Sequence, residues 1–180
     1  YVAETNSLDE GKIILVNKDN KIPDDYKASL VEYEGHLVDS SIASSLDKMF
    51  KSAKKDGINL KINTAYRDRN EQQEIYERRV KAYIKKGNTK EQAIARTNSE
   101  VQKPGYSEHE TGLALDFSNP ERPEENSSMW KWLENNSYKY GFVLRYPKDK
   151  TDITKVANEE WHYRYVGKDI AKEMKITGKC

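Results

Sequence analysis

The stretch Ser107-Glu108-His109-Glu110-Thr111-Gly112-Leu113-Ala114-Leu115-Asp116 sets a histidine and an aspartate seven positions apart, with an apolar run just before the aspartate. Imidazole nitrogen and carboxylate oxygen both bind zinc at about 2 Å, so two such donors on one ion lie roughly 3–4 Å apart. Seven residues of continuous strand would separate His109 from Asp116 by about 23 Å. If both residues serve one ion, the chain must fold back between them. Gly112 permits that bend, because glycine tolerates backbone angles that other residues avoid. Pro104-Gly105 keeps the preceding segment out of a helix. Residues 113–117 then read as a strand. Taken alone the spacing is loose, and a surface-loop histidine beside a capping or turn-forming aspartate is the better account of it.

A catalytic zinc takes three protein ligands and leaves a fourth position open. The chain has three histidines, His36, His109 and His162. His36 has no partner at ligand spacing and reads as an ordinary loop residue. His162 lies in Glu159-Glu160-Trp161-His162-Tyr163-Arg164-Tyr165, a strand pattern. Alternation places Trp161, Tyr163 and Tyr165 on one face, and His162, Arg164 and Val166 on the other. By itself His162 is also well explained as a core histidine. Glu159 is three positions before His162, so in a regular strand the two would face opposite ways. They can share a site only if the backbone bulges near Glu159-Glu160, and such an irregularity is expected there.

Working outward, residues 41–56 carry Ile42, Leu46, Met49, Phe50 and Ala53 on one helical face, and Gly57 stops the helix. Residues 58–64 alternate as a strand. Helical spacing returns over 69–86. Thr89 and Gln92 form a capping-box pattern that opens a helix to about residue 101. Residues 127–140 read as helix, 142–146 and 161–166 as aromatic-rich strands, and 169–175 as a closing helix. Residues 12–17, around Ile13-Ile14-Leu15-Val16, suggest an opening strand, and 119–126 a connecting loop. The pattern predicts an α+β fold with an antiparallel sheet, its helices drawn mainly from the N-terminal half. A flexible segment 1–10 would precede one domain over 11–180.

Composition narrows the function. With 31 Lys+Arg against 30 Asp+Glu, the net charge of +1 gives no basic footprint for nucleic acid. No apolar run approaches the ~18 residues of a membrane span. The single cysteine, Cys180, cannot pair within the chain. Tyr1 in place of Met suggests a processed chain, from which a signal or anchor could have been removed.

Several blocks together resemble the VanY-type zinc carboxypeptidases. Pro104-Gly105-Tyr106-Ser107-Glu108-His109-Glu110-Thr111-Gly112-Leu113-Ala114-Leu115-Asp116 is similar to their P-G-x-S-E-H-Q-T-G-L-A-x-D block, and Glu159 to Gly167 to E-P-W-H-Y-R-Y-V-G. Thr64-Ala65-Tyr66-Arg67-Asp68 with Gln72 is similar to S-G-Y-R-S…Q, and Leu15-Val16-Asn17-Lys18 to the usual opening strand. Glu110, Glu160 and Ala65 depart from the pattern, standing where Gln, Pro and Gly are usual.

The resemblance implies a Hedgehog/DD-peptidase-like fold and a peptidase that trims peptidoglycan stem peptides or their precursor outside the cytoplasmic membrane. It implies Zn2+ held by His109, Asp116 and His162, with Glu159 as catalytic base and Arg67 near the substrate. Ser107, Gln72 and Tyr163 are candidate substrate contacts. Arg67 could serve either the oxyanion or a terminal carboxylate. Removal of D-alanine from D-Ala-D-Ala is the leading expectation. L,D-cleavage of tetrapeptide stems and a non-catalytic zinc-containing binding module are the alternatives. The chain is expected to act as a monomer.

Overall fold

The structure, a computed structural model, describes residues 14–180. Its framework is a four-stranded antiparallel sheet in the order β3-β4-β6-β5, formed by β3 (Ile62–Thr64), β4 (Ala114–Phe117), β5 (Phe142–Tyr146) and β6 (Glu159–Tyr165). A separate hairpin pairs β1 (Leu30–Tyr33) with β2 (His36–Asp39). Among the described residues the helices are α1 (Ser40–Lys55), α2 (Arg69–Lys85), α3 (Lys90–Asn98), α4 (Asn126–Asn136), α5 (Thr151–Thr154) and α6 (Lys168–Thr177). This is the α+β arrangement predicted.

The apolar stripe of α1 explains its place. Ile42, Leu46, Met49 and Ala53 are all fully buried against Leu115, Phe117, Phe142 and Tyr163 of the sheet, with Met129 and Leu133 of α4 closing the same core. Asp39 caps α1 by accepting from the Ser41 N–H. Asp68 and Thr89 form reciprocal capping boxes at the starts of α2 and α3, each satisfying N–H groups that have no partner within the helix.

Several elements differ from the sequence reading. The expected opening strand is absent among the described residues: 14–16 are irregular, and an Asn17–Asn20 bridge closes a turn instead. Lys12, Ile13 and the 1–10 segment lie outside the described residues. Val16 is nonetheless buried, and the Ile14 carbonyl accepts from Arg164 Nη2 at 3.0 Å. The β1–β2 hairpin was missed, and His36 opens β2 rather than lying in a loop. Its strands have four residues each, too short for a clear period. Glu34 and Gly35, both at positive φ (50° and 76°), make the two-residue turn. The strand expected over 58–64 is confined to Ile62–Thr64. The helix expected over 127–140 ends at Asn136 and continues as a 3-10 turn, Ser137–Tyr140.

Strand alternation divides the sheet chemically. On β4, Leu115 and Phe117 turn to the helices, while Asp116 takes the opposite face. Register pairs Asp116 with His162 and Leu115 with Tyr163. The polar face of β4–β6 thus carries an aspartate beside a histidine, and the other face carries the core.

Candidate metal centre and active-site cleft

His109 reaches this face from a 3-10 turn, Glu108–Thr111, that closes at Gly112 in the left-handed region (φ 73°). A Cβ at Gly112 would come within 2.9 Å of the Asp39 backbone nitrogen, so conformation and space both require glycine. The fold-back required by the sequence is therefore made at Gly112. It brings His109 Nε2 to 3.3 Å from Asp116 Oδ1, and His162 Nδ1 lies 3.0 Å from the same oxygen. One donor atom from each of the three residues falls within 4.8 Å of the others, and the residues are almost entirely buried.

The remaining ring nitrogens are engaged. His109 Nδ1 lies 2.8 Å from the Ala65 carbonyl oxygen, and His162 Nε2 lies 3.0 Å from Glu108 Oε2. A carbonyl and a carboxylate both require the facing nitrogen to carry a proton, which leaves His109 Nε2 and His162 Nδ1 as the lone-pair donors. Two imidazoles with fixed tautomers and one carboxylate make a donor set that fits a tetrahedral zinc with one open position. The residues present therefore fit the metal that the sequence suggested.

Electrostatics follow from burial and close partners. Burial opposes the negative charge of Asp116, but His109 and His162 outweigh it and hold the carboxyl well below its usual range. Glu108 is likewise held low against burial, by Arg164, His162 and Arg145. His109 is pushed down by burial, which Asp116 only partly offsets. His162, though buried, is raised to about 10 by Asp116 and Glu108. A cation held at Nδ1 would take the place of that proton, so metal binding here would be linked to proton release.

Around the three residues is a cleft of about 230 Å³. Glu159 lies on its wall, with Oε2 3.7 Å from His162 Nδ1. The reason lies in the register of β6. Leu144 faces Tyr163 but Tyr146 faces Glu159, so two steps along β5 match four along β6. The anticipated irregularity is therefore present, and it lets Glu159 and His162 meet. Burial pushes the Glu159 carboxyl up to about 7, His162 and Arg67 opposing this and Asp116 reinforcing it.

Arg67 also lines the cleft. Its Nη2 is 3.6 Å from Asp116 Oδ2, and its Nη1 donates to Gln72 Oε1 at 3.3 Å. Gln72 is buried, 1% exposed, and its Nε2 donates to the Gln102 carbonyl at 2.7 Å. It is thus a bracket between Arg67 and the 99–105 loop rather than a solvated helix position. Ser107 lines the cleft as well, and its side chain makes no cap to the turn it precedes.

One aromatic assignment is corrected. Tyr163, expected at the substrate, is 1% exposed and packs on Phe117 in the core, ring centroids 5.8 Å apart. Its neighbour Trp161 is 36% exposed and lines the cleft. The Trp161 ring also lies 6.1 Å from that of Trp130, at the edge of the core. Tyr146, its ring 4.9 Å from that of His162, was not anticipated.

Glu108 was missed too. Its carboxylate meets Arg145 Nε at 2.8 Å and Arg164 Nη1 at 3.3 Å as well as His162. Its place beside His109 in sequence, and Arg164 two positions from His162 on the same strand face, were the available signals. The unusual Glu110 is also explained: its buried carboxylate accepts the Gly105 N–H at 2.7 Å and pairs with Arg69 at 3.3 Å. Glu160 is exposed, and Ala65 is buried with its carbonyl on His109.

Residues 35–168 match the VanY D-alanyl-D-alanine carboxypeptidase family. The chain belongs to that family. A D-alanyl-D-alanine carboxypeptidase of Enterococcus faecalis is 40% identical over 98% of this chain, which spans 66% of that relative's length. Solved structures agree. VanYB in complex with D-alanine-D-alanine superposes with a TM-score of 0.87 at 41% identity, covering 93% of each chain. A VanY D,D-pentapeptidase variant in complex with Zn(II) gives 0.86 at 41%, covering 93% of this chain and 94% of the other. The LdcB LD-carboxypeptidase gives 0.71 at 34%, over 92% of this chain and 81% of its own. The resemblance seen in short blocks thus extends over 93% of the chain in the superposition on VanYB. No helix among the described residues is long and apolar enough to cross a membrane.

Proposed function

We propose that the chain is a zinc-dependent D,D-carboxypeptidase that removes the C-terminal D-alanine of peptidoglycan stem peptides. The observation that carries this reading is the convergence of His109, Asp116 and His162, with Glu159 and Arg67 on the wall of the same cleft. His109 Nε2, His162 Nδ1 and an Asp116 oxygen would hold the metal. When bound, zinc supplies Lewis-acid polarisation of a carbonyl and lowers the pKa of water.

The chain's own residues do the rest. Glu159 is the base, taking the proton of the attacking water and returning it to the departing D-alanine amine. Arg67, held by Gln72 and beside Asp116, places a guanidinium where negative charge grows on the scissile carbonyl oxygen. Ser107 offers its hydroxyl to the substrate's terminal carboxylate. Trp161 and Tyr146 wall the cleft with aromatic surface. A binding module without turnover has no need of a carboxylate and a guanidinium flanking the donor set.

The substrate places the site of action outside the cytoplasmic membrane, and a monomer has every residue the reaction needs. The D,D-reading is favoured over L,D because the VanYB likeness exceeds the LdcB likeness in both identity and superposition. The test is metal analysis beside mass spectrometry of pentapeptide and tetrapeptide stems. One zinc per chain with D-alanine lost from the pentapeptide is the expected result. Tetrapeptide cleavage in its place would move the enzyme to the L,D class, and stem binding without cleavage would make it a module.

A further inference from the structure

A second cleft, of about 400 Å³, lies beside the first and shares Val101 and Gln102 with it as wall residues. Its lining includes three lysines, Lys18, Lys103 and Lys155, together with Asn98 and Tyr106. Among the described residues no Asp or Glu lines it. None of the three lysines makes an ion pair among the described residues, although the chain has nearly as many acids as bases. Lys155 occupies the left-handed region (φ 56°) at the end of α5, a conformation that non-glycine residues seldom adopt.

A concave surface lined by charges of one sign concentrates the opposite sign. The shared wall sets this surface next to the metal cleft. Gln102, common to both clefts, is tied through its carbonyl to Gln72 and from there to Arg67. A peptide with its C-terminus at the metal centre extends from it in the N-terminal direction, and the lysine cleft adjoins the metal cleft through the shared Val101 and Gln102. Lysine suits such a role, because its ammonium donates in any direction and so accepts a carboxylate without demanding one orientation.

We propose that this cleft is a subsite for a carboxylate carried by the peptide substrate on the N-terminal side of the cleaved bond. This rests on the peptidase reading above and adds a specificity to it: stems with a free acid at that point are preferred over stems with an amide.

The test uses peptides ending in D-Ala-D-Ala, with a free carboxylate or its amide one, two or three residues before the scissile bond. Binding to zinc-loaded Glu159→Gln protein is followed by calorimetry, and turnover is measured with the unmodified chain. At one of the three positions the acid should bind more tightly than the amide. Lys103→Gln and Lys155→Asn should each weaken the acid about threefold and the pair about tenfold, with the amide unmoved, as for partly exposed ion pairs. Asparagine is chosen at Lys155 because it tolerates the left-handed backbone. Added salt should shrink the acid–amide gap. Equal binding of acid and amide at all three positions, or lysine variants that weaken both alike, would overturn the subsite. Absence of turnover with every peptide would overturn the peptidase reading instead, and the binding comparison would still decide the subsite.

Discussion

The two faces of the β4–β6 pair are built from alternate residues of the same strands and meet opposite fates. Leu115, Phe117 and Tyr163 face α1 and α4 and are shielded by side chains alone. Asp116 and His162, one residue away, face ionisable groups and are held by Arg67, Glu108 and His109. The helix face tolerates polarity poorly but has no geometry to preserve beyond packing. The metal face buries charge and depends on every partner being present, since a buried ion whose counter-charge is removed costs several kcal/mol. The lesson is that stability and chemistry here are separable by strand parity.

Substitutions can break that separation or sharpen it. The largest effect is expected on the metal face. Glu159→Gln should lower kcat about 10²- to 10⁴-fold, the usual worth of a general base, while zinc content stays at the unmodified level. Near-normal turnover of this variant would remove Glu159 from its role. On the helix face, Leu115→Ala should lower unfolding free energy by about 2–5 kcal/mol in urea titration, with the folded fraction keeping its kcat. A fall in kcat equal to that of Glu159→Gln would show that the two faces are not independent.

Glu108→Gln probes the coupling between a ligand and its support. Loss of the charge leaves Arg145 and Arg164 without their carboxylate and weakens the hold on His162. Zinc affinity should fall about 10- to 100-fold in competition with a chelator, typical of losing a ligand's supporting carboxylate. An unchanged affinity would mean that His162 needs no such support. The smallest effect is expected from Tyr163→Phe. Its hydroxyl is buried without a hydrogen-bond partner, so removal should change stability by less than about 1 kcal/mol and leave kcat and KM unaltered. A raised KM would return Tyr163 to the substrate, where the sequence had put it.

Much of the site could be read in advance because the signals are local. His109, Gly112 and Asp116 sit in one ten-residue stretch, and the bend between them follows from elementary lengths. Parity on β4 put Leu115 and Asp116 on opposite faces, and parity on β6 put His162 and Arg164 together. The capping patterns at Asp68 and Thr89, and the stripe of α1, were equally local. The hairpin of β1 and β2 was not legible because four-residue strands hold too few alternations to stand out.

The amino-acid sequence alone therefore determined the donor types, the turn that returns His109 to Asp116, and the face on which His162 stands. Tertiary structure alone decided which neighbours complete them. Glu108 became the anchor of His162 because two arginines from β5 and β6 stabilise a carboxylate buried there. Glu159 came to stand beside His162 because the pairing of β6 with β5 slips by two residues. Parity is a property of one strand and can be read along the chain. A slip in register is a property of two strands, fixed by how both pack, and becomes visible only when they are side by side.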